Sequence, residues 1–167
     1  TDIMQKIAIT LAFIIFVTQA SAQTLVDTLK PFVWHTYIFV TTKMPRANLM
    51  ALAREASRTK AILVFNGFEE EGGVAALQKK IAEINALCCN KREVSWIIHP
   101  KLFERYRVKS APAFVIAQEQ EASRTPRMDD FVMVSGDMTL ANALKFIAQE
   151  SKVLAIKKRA GDVYALF

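Results

Sequence analysis

The chain reads as one α/β domain of three layers, a mixed central sheet flanked by helices, preceded by an export signal. Three observations carry this reading. Short apolar runs rich in β-branched and aromatic residues alternate with longer segments whose apolar residues recur at helical spacing. The 167 residues suffice for one sizeable core and are too few for two. Near the start, the apolar run Ile7 to Val17 follows Lys6 and ends in Ala20, Ser21 and Ala22.

A positive residue, an apolar run of about 7–15 residues and a small-x-small exit are the parts of a secretory signal. A bilayer span needs about 20 apolar residues. Residues 1–22 are therefore read as a signal peptide cleaved between Ala22 and Gln23, the only part of the chain expected to meet a membrane. Residues 23–33 form a lead-in, residues 34–150 the domain and residues 151–167 a C-terminal tail. Hydrophobic residues make up 52% and charged ones 23%, a globular balance. The formal charge of +6 raises nucleic acid as a partner. The basic residues are scattered, however, with Lys157-Lys158-Arg159 the only triplet, and neither aromatic interleaving nor zinc-ligand spacing accompanies them. No nucleic-acid partner is expected.

Trp34 to Thr41 is aromatic and β-branched and predicts a buried strand. Pro45 opens a helix in which Leu49, Leu52, Ala53 and Ala56 share a face. Ala61 to Phe65 is a continuous apolar run, as in a strand covered on both faces. A loop carrying Glu69-Glu70-Glu71 leads to a second helix with Val74, Leu77, Ile81, Ile84 and Leu87 at helical spacing. Val94 to Ile98 fits a strand or an irregular segment, and Pro100 opens a short helix with Leu102, Phe103 and Tyr106. Ala113 to Ala117 and Phe131 to Val134 are strands of a hairpin. Thr139 is placed to cap a last helix with Leu140, Leu144, Ile147 and Ala148 inward. Nothing assigns the tail; a terminal strand or hairpin is the form considered. Helical crossovers between the early strands make those strands parallel.

Cys88 and Cys89 are the only cysteines. Bridging adjacent residues closes an eight-membered ring through a strained peptide, so a disulfide between them is not expected. His35 and His99 are the only histidines and have no acidic partner at ligand or triad spacing. The sequence therefore offers no catalytic residue, no metal site and no cofactor.

In Ser110-Ala111-Pro112-Ala113-Phe114 a proline directly precedes a strand, where its missing donor costs no ladder bond. The order strand, helix, strand, helix, then x-Pro into a hairpin and a final helix resembles that of thioredoxin-like domains. In those domains this proline is cis and faces the turn after the first parallel strand. Here that turn is Thr41-Thr42-Lys43-Met44-Pro45. It has no CxxC motif and no cysteine at all, whereas thiol–disulfide exchange needs a thiolate at that helix start.

Four segments carry a closer resemblance: TYIFVTTKMP (36–45), ILVFNGF (62–68), IIHPKLFERYRVKSAPAFVI (97–116) and VSGDMTLANALKFIA (134–148). In order and spacing they resemble the TrbC family of F-type conjugative transfer systems. The resemblance implies a periplasmic, non-enzymatic factor for assembly of the conjugative pilus and its type IV secretion apparatus. It implies partners among the periplasmic conjugation proteins, TraW-like proteins or the pilin. Family members usually carry Ser-Met-Pro where this chain has Lys43-Met44-Pro45, and Asp-Pro where it has His99-Pro100. The residues expected to form a partner-binding groove are Thr42, Lys43, Met44 and Pro45 opposite Ala111 and Pro112. The readings set against this one are a peptide-binding chaperone outside conjugation and a thiol–disulfide isomerase. The second would have to work through Cys88 or Cys89, at the far end of the second helix.

The exported protein should begin at Gln23. Intact mass of material from the periplasm checks this, and a species retaining Lys6 to Ala22 would contradict it.

Overall fold

A computed structural model describes residues 32–68, 71–89, 91–119 and 125–167. The proposed signal, its Ala22–Gln23 junction and residues 23–31 of the lead-in lie outside the described residues. The folded unit spans Val33–Phe167. Its elements follow in the order β1 (Val33–Val40), α1 (Arg46–Thr59), β2 (Ile62–Phe65), α2 (Gly73–Cys88) and β3 (Ser95–Ile98). Next come α3 (Pro100–Arg105), β4 (Ala113–Glu119), β5 (Phe131–Ser135), α4 (Leu140–Glu150) and α5 (Leu154–Tyr164).

The five strands form one mixed sheet in the order β3-β2-β1-β4-β5. β1 is parallel to β2 and β2 to β3, as helical crossovers require. β4 runs antiparallel to both β1 and β5. The pleat of β1 explains its composition. Ile38 and Val40 point to one face and Tyr37 and Phe39 to the other, so every apolar residue of that stretch is buried. The first face carries most of the core. Leu49, Leu52 and Ala53 of α1, Leu77 and Ile84 of α2, and Leu144 and Ile147 of α4 pack there. Among the described residues the opposite face is covered by α3, with Leu102, Phe103 and Tyr106 over Tyr37, Phe39 and Val115. Phe39 meets Phe103 edge-on at 4.8 Å and Tyr106 meets Phe131 at 5.0 Å, geometries that aromatic quadrupoles favour. Helices, sheet and the short helix are the three layers of a thioredoxin-like fold, with the Ala111–Pro112 peptide cis.

Two expectations are corrected. The tail forms neither strand nor hairpin. α5 buries Ile156, Ala160 and Val163 in the main core, an i, i+4, i+7 face. Gly161 inside it and the exposed Leu154 and Tyr164 blur that pattern in the sequence. The second correction concerns Cys88 and Cys89, which are joined by a disulfide with Cα atoms 3.7 Å apart. The helix ends at Cys88, and Cys89 leaves it with φ −139° while its N–H still donates to Asn85 O. The chain is thus free to turn at the one peptide where the ring must close.

The start of α4 is fully satisfied. Glu55 of α1 accepts from Leu140 N at 2.8 Å and from Ala141 N at 3.3 Å, and Thr139 Oγ1 accepts from Asn142 N at 3.1 Å. These three amides have no partner within the helix. A carboxylate there also meets the positive end of the helix dipole. Glu55→Ala should cost about 1–3 kcal/mol, because it strands two amides. Glu55→Gln should cost less, since its carbonyl oxygen still accepts. Urea unfolding of both variants checks the order.

Candidate functional site

β1 ends at Val40 and the chain turns at once, with Met44 N donating to Thr41 O at 3.1 Å. Thr42 is buried, and its carbonyl accepts from Lys80 Nζ of α2 at 2.7 Å. Among the described residues the Thr42 hydroxyl has no hydrogen-bond partner. Lys43 is exposed, and Pro45 precedes α1 as its cap with ψ 139°. Proline has no hydroxyl or carboxylate, so no side chain caps this helix start. Across from the turn, the Pro112 carbonyl accepts from Gly136 N at 3.1 Å. Gly136 has φ +148°, a backbone that side chains rarely adopt, and there the chain leaves β5.

Two cavities open on either side of Ala111–Pro112. One, about 160 Å³, is bordered by Thr41, Thr42, Asn66, Lys109, Ser110 and Ala111. The other, about 430 Å³, is bordered by Met44, Asn48, Glu55, Pro112, Met138 and Asn142. The structure thus brings Thr42 together with Ala111, and Met44 together with Pro112. Lys43 and Pro45 border neither cavity and stand on the exposed rim. The thiols are elsewhere. Lys80 reaches the turn from the middle of α2, and Cys88 lies eight residues further on, about 12 Å along the helix axis. Among the described residues no group of three potential metal ligands comes together. Among the same residues no helix is long and apolar enough to cross a membrane.

Reading the sequence missed a polar cluster at the other end of β4, on the face covered by α3. Tyr106 Oη donates to Glu119 Oε1. Arg105 Nε lies 3.8 Å and His35 Nε2 3.6 Å from the same carboxylate. Tyr37 stacks on His35 at 5.4 Å. Burial first, then Glu119, pushes the Tyr37 hydroxyl well above its ordinary range; for Tyr106 burial again leads, followed by its hydrogen bond to Glu119. His35 faces Ala117 across the β1–β4 ladder, two residues from Glu119, which no local pattern reveals.

This sheet, proline and turn define the class: a thioredoxin-like domain whose turn holds no thiol. The chain belongs to the family of type-F conjugative transfer system pilin assembly proteins, TrbC, whose model matches residues 38–147. Among solved structures it is similar to a secreted Mycobacterium tuberculosis disulfide oxidoreductase, itself homologous to DsbE of E. coli. That likeness has 16% identity and a TM-score of 0.42, over 79% of this chain and 81% of that one. No curated protein matches the sequence.

Because folding raises both tyrosine pKa values, their contribution to stability is complete below the unfolded value near 10. It falls as pH rises from there, by up to about 1.4 kcal/mol per pH unit for each phenol. Urea midpoints at pH 9 and pH 11 check the loss. Glu119→Gln should move both phenols back toward the ordinary value without reaching it, since burial is the larger cause.

Proposed function

We propose that this chain is a periplasmic, non-enzymatic assembly factor for the conjugative pilus of an F-type type IV secretion apparatus. It acts by binding an extended segment of another transfer component, a TraW-like protein or the pilin, between Thr42–Pro45 and Ala111–Pro112. The family places the chain in pilin assembly. The observation that carries the binding reading is that Met44 and Pro112 wall one cavity, with Thr42 and Ala111 on the next. Strand pairing of β4 starts at Ala113, so the backbone of Ser110 and Ala111 lies outside the ladder, where an incoming strand could add. Met44 is a flexible, polarizable thioether that adapts to an apolar side chain. Exchange chemistry at this place would need a thiolate in the turn, and Thr41 to Pro45 supplies none.

Met44→Asp should abolish capture of the partner from donor-cell periplasm and assembly of pili, while circular dichroism and melting change little. A folded variant that captures its partner normally would move the interface to another surface.

A further inference from the structure

The Cys88–Cys89 disulfide closes the C-terminal end of α2, its two side chains half-buried between two open cavities. Cys89 lines both cavities, about 500 Å³ and about 460 Å³, and Cys88 lines the second. Lys91 and Arg92 also line both, and Arg58 reaches the second from the last turn of α1. Among the described residues lining them, Glu93 is the one carboxylate. Among the described residues none of the three cations is held in an ion pair. The partial negative charge at the end of α2 and the charge of Glu93 do not offset three full positive charges.

Exchange at a disulfide starts with a thiolate attacking one sulfur, so its rate follows access and the local concentration of thiolate. Positive charge lining a cleft concentrates anionic reactants, and it favours the thiolates left once the disulfide opens. We propose that Cys88–Cys89 is a thiol–disulfide exchange site for small anionic thiols, recruited by Arg58, Lys91 and Arg92. The thiolate attacks Sγ of Cys89, the residue that borders both cavities. The S–S bond breaks, Cys88 leaves as a thiolate, and a mixed disulfide forms on Cys89. A second thiolate then attacks the external sulfur of that mixed disulfide and releases Cys89. Two external thiols are oxidised to one disulfide, and Cys88 and Cys89 take up their two electrons and two protons. The site is separate from the groove and does not depend on the function proposed for it.

The test uses the full chain. Denatured without reductant, it should offer no thiol to alkylation. Opening is then timed by alkylation and intact mass with 2-mercaptoethanesulfonate, an anionic thiol, and with cysteamine, a cationic one, at matched thiolate concentrations. The sulfonate should act on the order of tenfold faster. The advantage should shrink toward parity in about 1 M salt, in the Lys91→Gln/Arg92→Gln variant and, to a lesser degree, in Arg58→Gln. Two alkylatable thiols before any reductant, equal rates for the two reagents, or an anion advantage that survives the charge variants would each overturn the proposal.

Discussion

The direction of β1 relative to its two neighbours is the constraint on which the rest depends. β1 runs parallel to β2 and antiparallel to β4, so the end of β1 and the start of β4 meet at the same edge of the sheet, Phe39 opposite Ala113. Everything just past Val40 therefore faces everything just before Ala113. The turn Thr41–Pro45 and the Ala111–Pro112 peptide are brought together by strand pairing, without any contact between their own side chains having to do it. The buried Phe39 and Phe114 hold that pairing from opposite faces, each side chain contributing about 1.5–3 kcal/mol on burial. A register slip by one residue would turn Tyr37 and Phe39 onto the helix face and bury Thr36 and Ile38 under α3.

Glu55 ties the same region to the second half of the chain. It belongs to α1, whose start forms one wall of the groove, and it accepts from the first amides of α4, whose start forms another. One carboxylate therefore ties the C-terminal half of α1 to the N-terminus of α4 beside the cavity shared by Met44 and Pro112. The ion pair of Arg46 with Glu83, 3.2 Å apart on half-exposed side chains of α1 and α2, adds little by comparison.

How much of this was legible depended on whether the physical cause was local. Leu49, Leu52, Ala53 and Ala56 announce α1 because helical spacing is a short-range pattern, and Thr139 announces α4 because capping is one too. Pro112 before an apolar run places a strand start, and the thioredoxin-like order of elements around it indicates the cis bond. The rest is set by residues far apart in sequence. Glu55 and Leu140 are 85 positions apart, and the Glu119 cluster gathers residues from β1, α3 and β4. The disulfide is hidden in the sequence for a different reason. Closing the ring strains an unspecified backbone, whereas the end of α2 supplies a particular one. The face formed by Ile156, Ala160 and Val163 was visible in principle, but a glycine and exposed apolar neighbours hid it.

The two helix starts that border the Met44–Pro112 cavity are finished in opposite ways. α4 has an acceptor for each of its first three amides. α1 has no capping side chain and no acidic residue in its first turn, and an exposed Lys43 stands just ahead of it. A cation beside the positive end of a helix is unfavourable by about 0.3–1 kcal/mol at an exposed position. The local cost is small, and it falls one residue from Met44, which borders the cavity shared with Pro112. Stability alone would favour an acidic residue or serine at that position. The charges around the two cavities are divided: Lys109 borders the one at Thr42 and Ala111, whereas Glu55 and Asp137 border the one at Met44 and Pro112. The Ala111–Pro112 peptide thus stands between a cavity lined by a cation and one lined by two carboxylates.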